Sequence, residues 1–178
     1  MAKAKVSQLT YADLEALPDD HIRHELIDGE LFVSASPSLV HQRVVMALYH
    51  LLLPLTPEGH ELFNVDIDWY VDDRNVYVPD LIVAPRDHFT ERNLPRPPVL
   101  AVEVLSPSTR SVDLVRKRAA YERAGLAHYW VVDPMLPAVT LLERVGGRLV
   151  EVAAAKGDEA LAVERPFSVT VVPAQLLR

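Results

Sequence analysis

A single glutamate interrupts an otherwise apolar stretch of the chain. Residues 99–105 read Val-Leu-Ala-Val-Glu-Val-Leu, so Glu103 is the one polar side chain among them. A run that is apolar on both faces is typical of a strand in the middle of a covered sheet. A buried carboxylate is costly unless a partner, hydrogen bonds or a metal ion compensates it. Glu103 therefore belongs either to a structural ion pair with an arginine or to a functional site.

Asp80 is the second candidate acid. It directly follows Pro79, precedes the apolar run 81–84 and lies 23 positions before Glu103, so two neighbouring strands can bring both acids together. Carboxylates about 4 Å apart would repel each other by roughly 4 kcal/mol at an effective dielectric constant near 20, which would imply a bound cation. Ligation by oxygen atoms alone suits Mg²⁺ or Mn²⁺. The alternative is that Asp80 only forms a turn after proline.

Lys117 is the third candidate, because the chain contains 14 arginines but only 4 lysines. A lysine retained in such a sequence can supply a compact ammonium donor for a water molecule or a phosphate oxygen. The alternative is a surface ion pair with Asp113, which lies one helical turn earlier. Asp113 and Lys117 could also both face the site.

Turn signals and apolar periodicity predict the elements that position these residues. Asp28-Gly29 favours a tight β-hairpin turn, because both central residues of such a turn have positive φ. The predicted elements are a helix over 11–17 capped by Thr10, a hairpin of 24–27 and 30–35, a helix over 38–53, strands over 61–71 and 76–84, a loop over 85–98, a strand over 99–105, a helix over 111–124, a strand over 128–132, a hairpin of 139–144 and 149–153, and a strand over 167–172 with a helical turn after Pro173. This order predicts an α/β fold, a mixed sheet with helices on its faces.

The composition limits the class of protein. The 178 residues are 49% hydrophobic, carry a net charge of −7 and include no cysteine, which favours a single globular domain over residues 1–178 and excludes a thiol nucleophile. The longest apolar stretch, 44–55, is shorter than the ~20 residues that span a bilayer. The N-terminal segment lacks an apolar signal region, so we expect a soluble, cytoplasmic protein with no membrane partner. The negative charge disfavours binding of nucleic acid by charge alone, although metal-binding carboxylates contribute to it.

Further residues complete a pattern around the three candidates. It consists of Glu25-Leu-Ile-Asp28-Gly29, Ser36-Pro37, His41, Pro79-Asp80, Val102-Glu103-Val104-Leu105-Ser106-Pro107-Ser108-Thr109, Asp113, Lys117, Tyr121, Gly125 and Tyr129-Trp130-Val131-Val132-Asp133. With this pattern, residues from about 11 to 139 resemble the bacterial putative restriction endonuclease family, which lies within the PD-(D/E)xK nuclease superfamily. The resemblance implies a restriction-endonuclease-like fold, in which a mixed β-sheet is flanked by helices, with additional β-hairpins in this chain.

The resemblance also implies a chemistry and its ligands. Asp80, Glu103 and the main-chain carbonyl of Val104 would bind Mg²⁺ or Mn²⁺, and the metal would promote hydrolysis of phosphodiester bonds in nucleic acid, expected to be DNA. The superfamily pattern places its lysine two residues after the acid, where this chain has Leu105. Lys117 is therefore expected to take that role from the following helix, orienting the attacking water.

One further catalytic residue, one secondary residue and two broader expectations follow from the same resemblance. Glu25 would be an additional acid near the metal, or else an exposed strand residue. His41 would contact a phosphate or simply cap its helix. A homodimer is expected by analogy with enzymes that cut two strands, with the hairpins between residues 139 and 172 as the contact surface. The alternative function is a catalytically inactive binding or assembly module with a nuclease fold.

Overall fold

The computed structural model describes residues 8–18, 22–34, 36–64, 66–107, 110 and 112–178, with only the backbone at 112 and 113. Three α-helices are present in these ranges: α1 (Tyr11–Glu15), α2 (Leu39–Leu52) and α3 (Arg118–Ala124). A π-helical segment, Val112–Lys117, leads directly into α3. Short 3₁₀ turns are formed by Leu53–Leu55, Arg86–His88 and Pro173–Leu177.

Twelve strands lie in the same described ranges and form three sheets. They are β1 (Arg23–Ile27), β2 (Glu30–Ser34), β3 (His60–Phe63), β4 (Trp69–Asp72), β5 (Asn75–Tyr77), β6 (Leu81–Pro85), β7 (Leu100–Val104), β8 (His128–Asp133), β9 (Ala138–Val145), β10 (Arg148–Lys156), β11 (Leu161–Val163) and β12 (Val169–Val171). The largest sheet has the order β10-β9-β8-β7-β6-β3, a second has the order β2-β1-β5-β4, and β11 pairs with β12. The predicted mixed α/β fold is confirmed, since β7 and β8 are parallel while the other pairs are antiparallel.

Strand β7 lies inside the six-stranded sheet and is buried along its whole length. Its side chains alternate between the two faces. Val102 and Val104 pack in the apolar layer that contains α2 residues, whereas Ala101 and Leu105 pack in the layer that contains α3 residues. The prediction of a central, covered strand over 99–105 is therefore confirmed.

Local sequence explains the elements at either side of the sheet. Ser38 caps α2 by accepting a hydrogen bond from the backbone of the first turn, and Val44, Val45, Leu48 and Leu52 form its buried face. The β1-β2 hairpin turns through Asp28 and Gly29, whose φ angles are 54° and 76°, as the turn type requires. These two predictions are confirmed.

Other predicted elements need correction. Each of the strands predicted over 61–71 and 76–84 is two strands, because β4 and β5 belong to the four-stranded sheet while β3 and β6 belong to the six-stranded one. The chain passes between these sheets at residues 78–80, where Pro79 has no N–H to offer a continuing ladder. The helix predicted over 111–124 is α-helical only from Arg118 onward. Strand β11 was not predicted. Within the described ranges, no helix is long and apolar enough to cross a membrane.

Candidate active site

Four of the predicted site residues lie together at one end of β6 and β7. Asp80 directly precedes β6, and the antiparallel register of the two strands puts position 80 across from position 103. Glu25 comes from β1 and Lys117 ends the π-helical segment. All four side chains are buried, with 2–4% of each residue exposed. The alternative that Glu25 is an exposed strand residue is therefore wrong.

Lys117 bridges two carboxylates from different elements. Its Nζ lies 2.9 Å from Oε2 of Glu25 and 3.0 Å from Oε1 of Glu103. Glu25 is held from its other oxygen, because Oε1 accepts a hydrogen bond of 2.8 Å from the backbone N–H of Val78. Leu105, at the position of the superfamily lysine, packs in the core instead. An ammonium group thus reaches the acid on β7 from the side of the sheet that packs against α3, and the alternative of a surface lysine is wrong.

Tyr121 of α3 holds the same glutamate oxygen as Lys117. Its hydroxyl donates to Oε1 of Glu103 at 2.5 Å. Burial raises the pKa of Tyr121 well above its ordinary value, and the negative charge of Glu103 raises it further. The hydroxyl therefore remains a donor. Its ring packs against Trp69, Tyr77 and Tyr129 with centroids 5.1–5.2 Å apart, which fixes the direction of the donor.

Asp80 is held by three groups from three different elements. Its Oδ2 accepts a 2.8 Å hydrogen bond from the backbone N–H of Val104 and lies 3.2 Å from Nε2 of His41. Its Oδ1 lies 2.7 Å from Nη1 of Arg23. Burial opposes ionisation of this carboxyl, but the hydrogen bond with His41 and the charge of Arg23 outweigh burial and lower its pKa well below the ordinary value. Asp80 is therefore an anion at any ordinary working pH.

Arg23 is a site residue that the sequence reasoning missed. It starts β1, two residues before Glu25, so the two side chains share a face of the strand. Burial disfavours its charge, yet the neighbouring Asp80 raises its pKa above the ordinary value. The contact joins residues 57 positions apart, and no local pattern distinguishes an arginine that reaches inward from one that faces water. Tyr121 belonged to the family pattern, but its role as a donor to Glu103 was also missed.

The secondary candidates have different outcomes. His41 lies in the first turn of α2, where its backbone N–H donates to Ser38 Oγ at 3.2 Å and its ring faces Asp80. Its Nδ1 is buried and has no hydrogen-bond partner among the described residues. The side chain of Asp113 lies outside the described part of the structure. The two arginines that flank Lys117 also have partners outside the site: Arg116 pairs with Glu30, and Arg118 donates to the carbonyl of Leu149.

The site residues fit a hard divalent cation in the type of their donors. Asp80 and Glu103 offer carboxylate oxygens, and Mg²⁺ commonly uses one or two carboxylates with water completing its shell. Within the described ranges, however, no group of three or more His, Asp or Glu side chains is arranged to hold a metal ion. Cationic side chains already contact these acids. The metal site at Asp80, Glu103 and the Val104 carbonyl stays a prediction.

Comparisons with known proteins agree with this fold. The model of the Uma2 family, described as "Putative restriction endonuclease", matches residues 11–175. An uncharacterized protein of Synechocystis sp. is 31% identical over 118 residues, which cover 64% of this chain, and the match spans only 57% of that relative's length. A crystal structure of a putative nuclease belonging to DUF820 from Anabaena variabilis superposes with a TM-score of 0.71 at 18% identity, covering 95% of this chain and 97% of that one.

Proposed function

This chain belongs to the Uma2 family of putative restriction endonucleases, and from that membership we propose that it is a divalent-metal-dependent nuclease that hydrolyses phosphodiester bonds in DNA. The observation that supports the proposal most is the position of Lys117. Its ammonium contacts Glu103, the acid on the central strand, although the superfamily's lysine position, two residues after that acid, is occupied by Leu105. We further propose that the protein acts in the cytoplasm as a homodimer.

The four buried catalytic candidates have distinct roles in this proposal. Asp80, Glu103 and the carbonyl of Val104 would hold Mg²⁺ or Mn²⁺, which when bound supplies Lewis-acid activation of the phosphodiester and of a water molecule. The ammonium of Lys117 would orient that water or offset charge that develops on a phosphate oxygen. Glu25, fixed by the backbone of Val78, holds Lys117 in place.

The test is DNA cleavage by the purified protein. Supercoiled plasmid, linear duplex and single-stranded DNA would be incubated with Mg²⁺ or Mn²⁺, beside an EDTA control. The variants Asp80→Asn, Glu103→Gln and Lys117→Met should lose cleavage by at least about 100-fold. Arg86→Gln, which breaks an exposed ion pair with Glu61 away from the site, should cleave like the wild type.

The inactive binding module remains the second candidate, because one observation favours it. Asp80 is neutralised by Arg23 and faces His41, while Lys117 contacts both glutamates, an arrangement that satisfies buried charges without a cation. Absence of cleavage on every substrate, together with no Mn²⁺ binding by calorimetry, would select this candidate. Cleavage retained by Lys117→Met alone would remove only the lysine from the proposed mechanism.

A further inference from the structure

The carboxylate of Asp80 uses both of its oxygens for protein contacts. Oδ2 accepts a hydrogen bond from the backbone N–H of Val104 and lies beside the ring of His41, so protein groups contact this oxygen on two sides. Oδ1 accepts a hydrogen bond of 2.7 Å from Nη1 of Arg23. Because an ionised carboxylate has about four acceptor positions, Oδ1 is the oxygen that a cation can approach with the least loss of existing contacts. Arg23 lies at that oxygen.

Arg23 also contacts a second carboxylate, on the side of the solvent. Its Nη2 and Nε lie 3.1 and 3.2 Å from Oδ1 of Asp66. The side chain of Asp66 is 67% exposed, that of Arg23 is 23% exposed and that of Asp80 is 3% exposed. The three groups thus run from solvent to the buried site, with the guanidinium between the two acids.

A divalent cation and a guanidinium cannot share one carboxylate oxygen without strong repulsion between their charges. The guanidinium keeps its charge under all ordinary conditions, so it cannot yield the oxygen by losing a proton. Arg23 can leave Oδ1 of Asp80 only by moving. Its other nitrogens, Nη2 and Nε, already contact Asp66.

We infer that Arg23 competes with a divalent cation for Oδ1 of Asp80, and that Asp66 holds the displaced guanidinium when the cation binds. The inference rests on the metal dependence in the proposed function and adds a residue that sets the metal affinity. It makes the Arg23–Asp80 ion pair and cation binding mutually exclusive. The affinity of the site for a metal then depends on how firmly Asp66 retains Arg23.

Calorimetric titration with Mn²⁺ alone tests the competition. Arg23→Gln should bind Mn²⁺ about tenfold more tightly than the wild type, because apparent affinity falls with the fraction of protein in the binding-competent state and Arg23 occupies the oxygen that the cation needs. Arg86→Gln is the matched control, because it removes the same charge from another ion pair, at the opposite end of β6. It should leave the affinity unchanged. Asp80→Asn should abolish binding in either background.

Asp66→Asn tests the second half of the inference in a double-mutant cycle. In the wild-type background it should weaken Mn²⁺ binding several-fold, because a guanidinium displaced from Asp80 depends on Asp66, whereas the paired guanidinium still has Asp80. In the Arg23→Gln background it should have no effect. Arg23→Lys is a second probe in case Arg23→Gln does not fold. Its ammonium lacks the separate Nε and Nη2 donors that Arg23 directs at Asp66, so its Mn²⁺ affinity should respond less to Asp66→Asn than that of the wild type.

The outcomes separate this inference from the proposed function. If the wild type binds Mn²⁺ and Arg23→Gln does not bind it more tightly, Arg23 does not compete with the cation. The same conclusion follows if Arg86→Gln tightens binding equally. Either result leaves the metal site standing. If Asp66→Asn weakens Mn²⁺ binding by the same factor in the wild-type and Arg23→Gln backgrounds, Asp66 does not act by holding the displaced Arg23. If neither the wild type nor Arg23→Gln binds Mn²⁺, the metal dependence is wrong and the inference is wrong with it.

Discussion

Among single residues, Lys117 makes buried contacts whose loss should lower stability. Its ammonium lies between two buried glutamates that come from different elements. Removing one partner of a buried ion pair typically costs about 3–5 kcal/mol, because it leaves charge in a medium that solvates it poorly. We expect Lys117→Met to lower the free energy of unfolding by about that amount in urea titrations.

Two further variants make this prediction specific. Lys156→Met removes an exposed lysine on β10 and should leave the unfolding midpoint unchanged. Adding Glu25→Gln to Lys117→Met should recover part of the loss, since one uncompensated charge disappears. A Lys117→Met protein as stable as the wild type would show that water, rather than Lys117, compensates the glutamates.

Asp80 makes the stability of the folded protein depend on pH in the acid range. Its folded pKa lies below the value near 3.9 expected in the unfolded chain. Between those two values the unfolded chain binds more protons, so stability rises with pH there and the contribution of Asp80 is lost as pH falls through the folded pKa. We expect Asp80→Asn to be about 3 kcal/mol less stable than the wild type at neutral pH. That gap should narrow below about pH 4.

Urea unfolding of both proteins between pH 3 and pH 7 measures this gap. Asp66→Asn is the control, because this carboxylate contacts the same arginine but is itself exposed; its loss should change the free energy of unfolding little at any pH in this range. A gap between wild type and Asp80→Asn that stays constant over the whole range would contradict the prediction.

The sequence could identify some of these residues and not others. Glu103 was predictable because a charge in an apolar strand violates a simple pattern, and Lys117 because lysine is rare in this chain. The partners of Asp80 were not predictable from local sequence. Arg23 and His41 reach it across 57 and 39 positions of the chain, and only the pairing of distant strands and the packing of α2 bring them there.

Among the elements, α2 has its start defined by a single side chain. Oγ of Ser38 accepts a hydrogen bond of 3.2 Å from the backbone N–H of His41, which also places the His41 ring near Asp80. Ser38→Ala should lower the free energy of unfolding by about 1 kcal/mol, whereas Ser38→Asp should retain it, because a carboxylate caps the helix and favours its positive end.

Thermal or urea unfolding of the two variants measures the cap. Ser168→Ala, which changes an exposed serine outside any helix, is the matched control and should be neutral. Equal losses in Ser38→Ala and Ser38→Asp would mean that packing of the serine, and not its hydrogen bond, stabilises the helix.

Whether a segment is a helix or a strand was largely predictable from the sequence. Where one predicted strand is split into two was not. The hairpin at Asp28-Gly29 and the helix after Ser38 depend on local turn and cap chemistry, which neighbouring residues determine. The splitting of the strands predicted over 61–71 and 76–84 depends on pairing with distant strands, such as Leu26 with Val76. The π-helical segment that ends at Lys117 likewise had no local signal, although π-helical turns are frequent at functional sites.

In the molecule as a whole, the six-stranded sheet separates two apolar layers and ends at strand β10. This nine-residue strand pairs with β9 on one side, and Val150 and Val152 are exposed on it. Side chains of α3 bond the backbone of Leu149 at this edge, but the two exposed valines lie farther along the strand, and exposed apolar residues at a sheet edge favour pairing with another chain. The sequence suggested this region, residues 139–172, only by analogy, because the edge position of a strand depends on the complete sheet order.

The edge strand therefore gives the proposed homodimer a specific test. Sedimentation velocity should show a species of twice the 19.9 kDa chain mass, and Val152→Lys should convert it to monomer, because a buried ammonium at the contact would be unpaired. Val33→Lys changes an exposed valine on β2, an edge of the four-stranded sheet, and should leave the dimer intact. Since β2 lies next to β1, which carries Arg23 and Glu25, dissociation by Val33→Lys alone would instead place the interface beside the candidate active site.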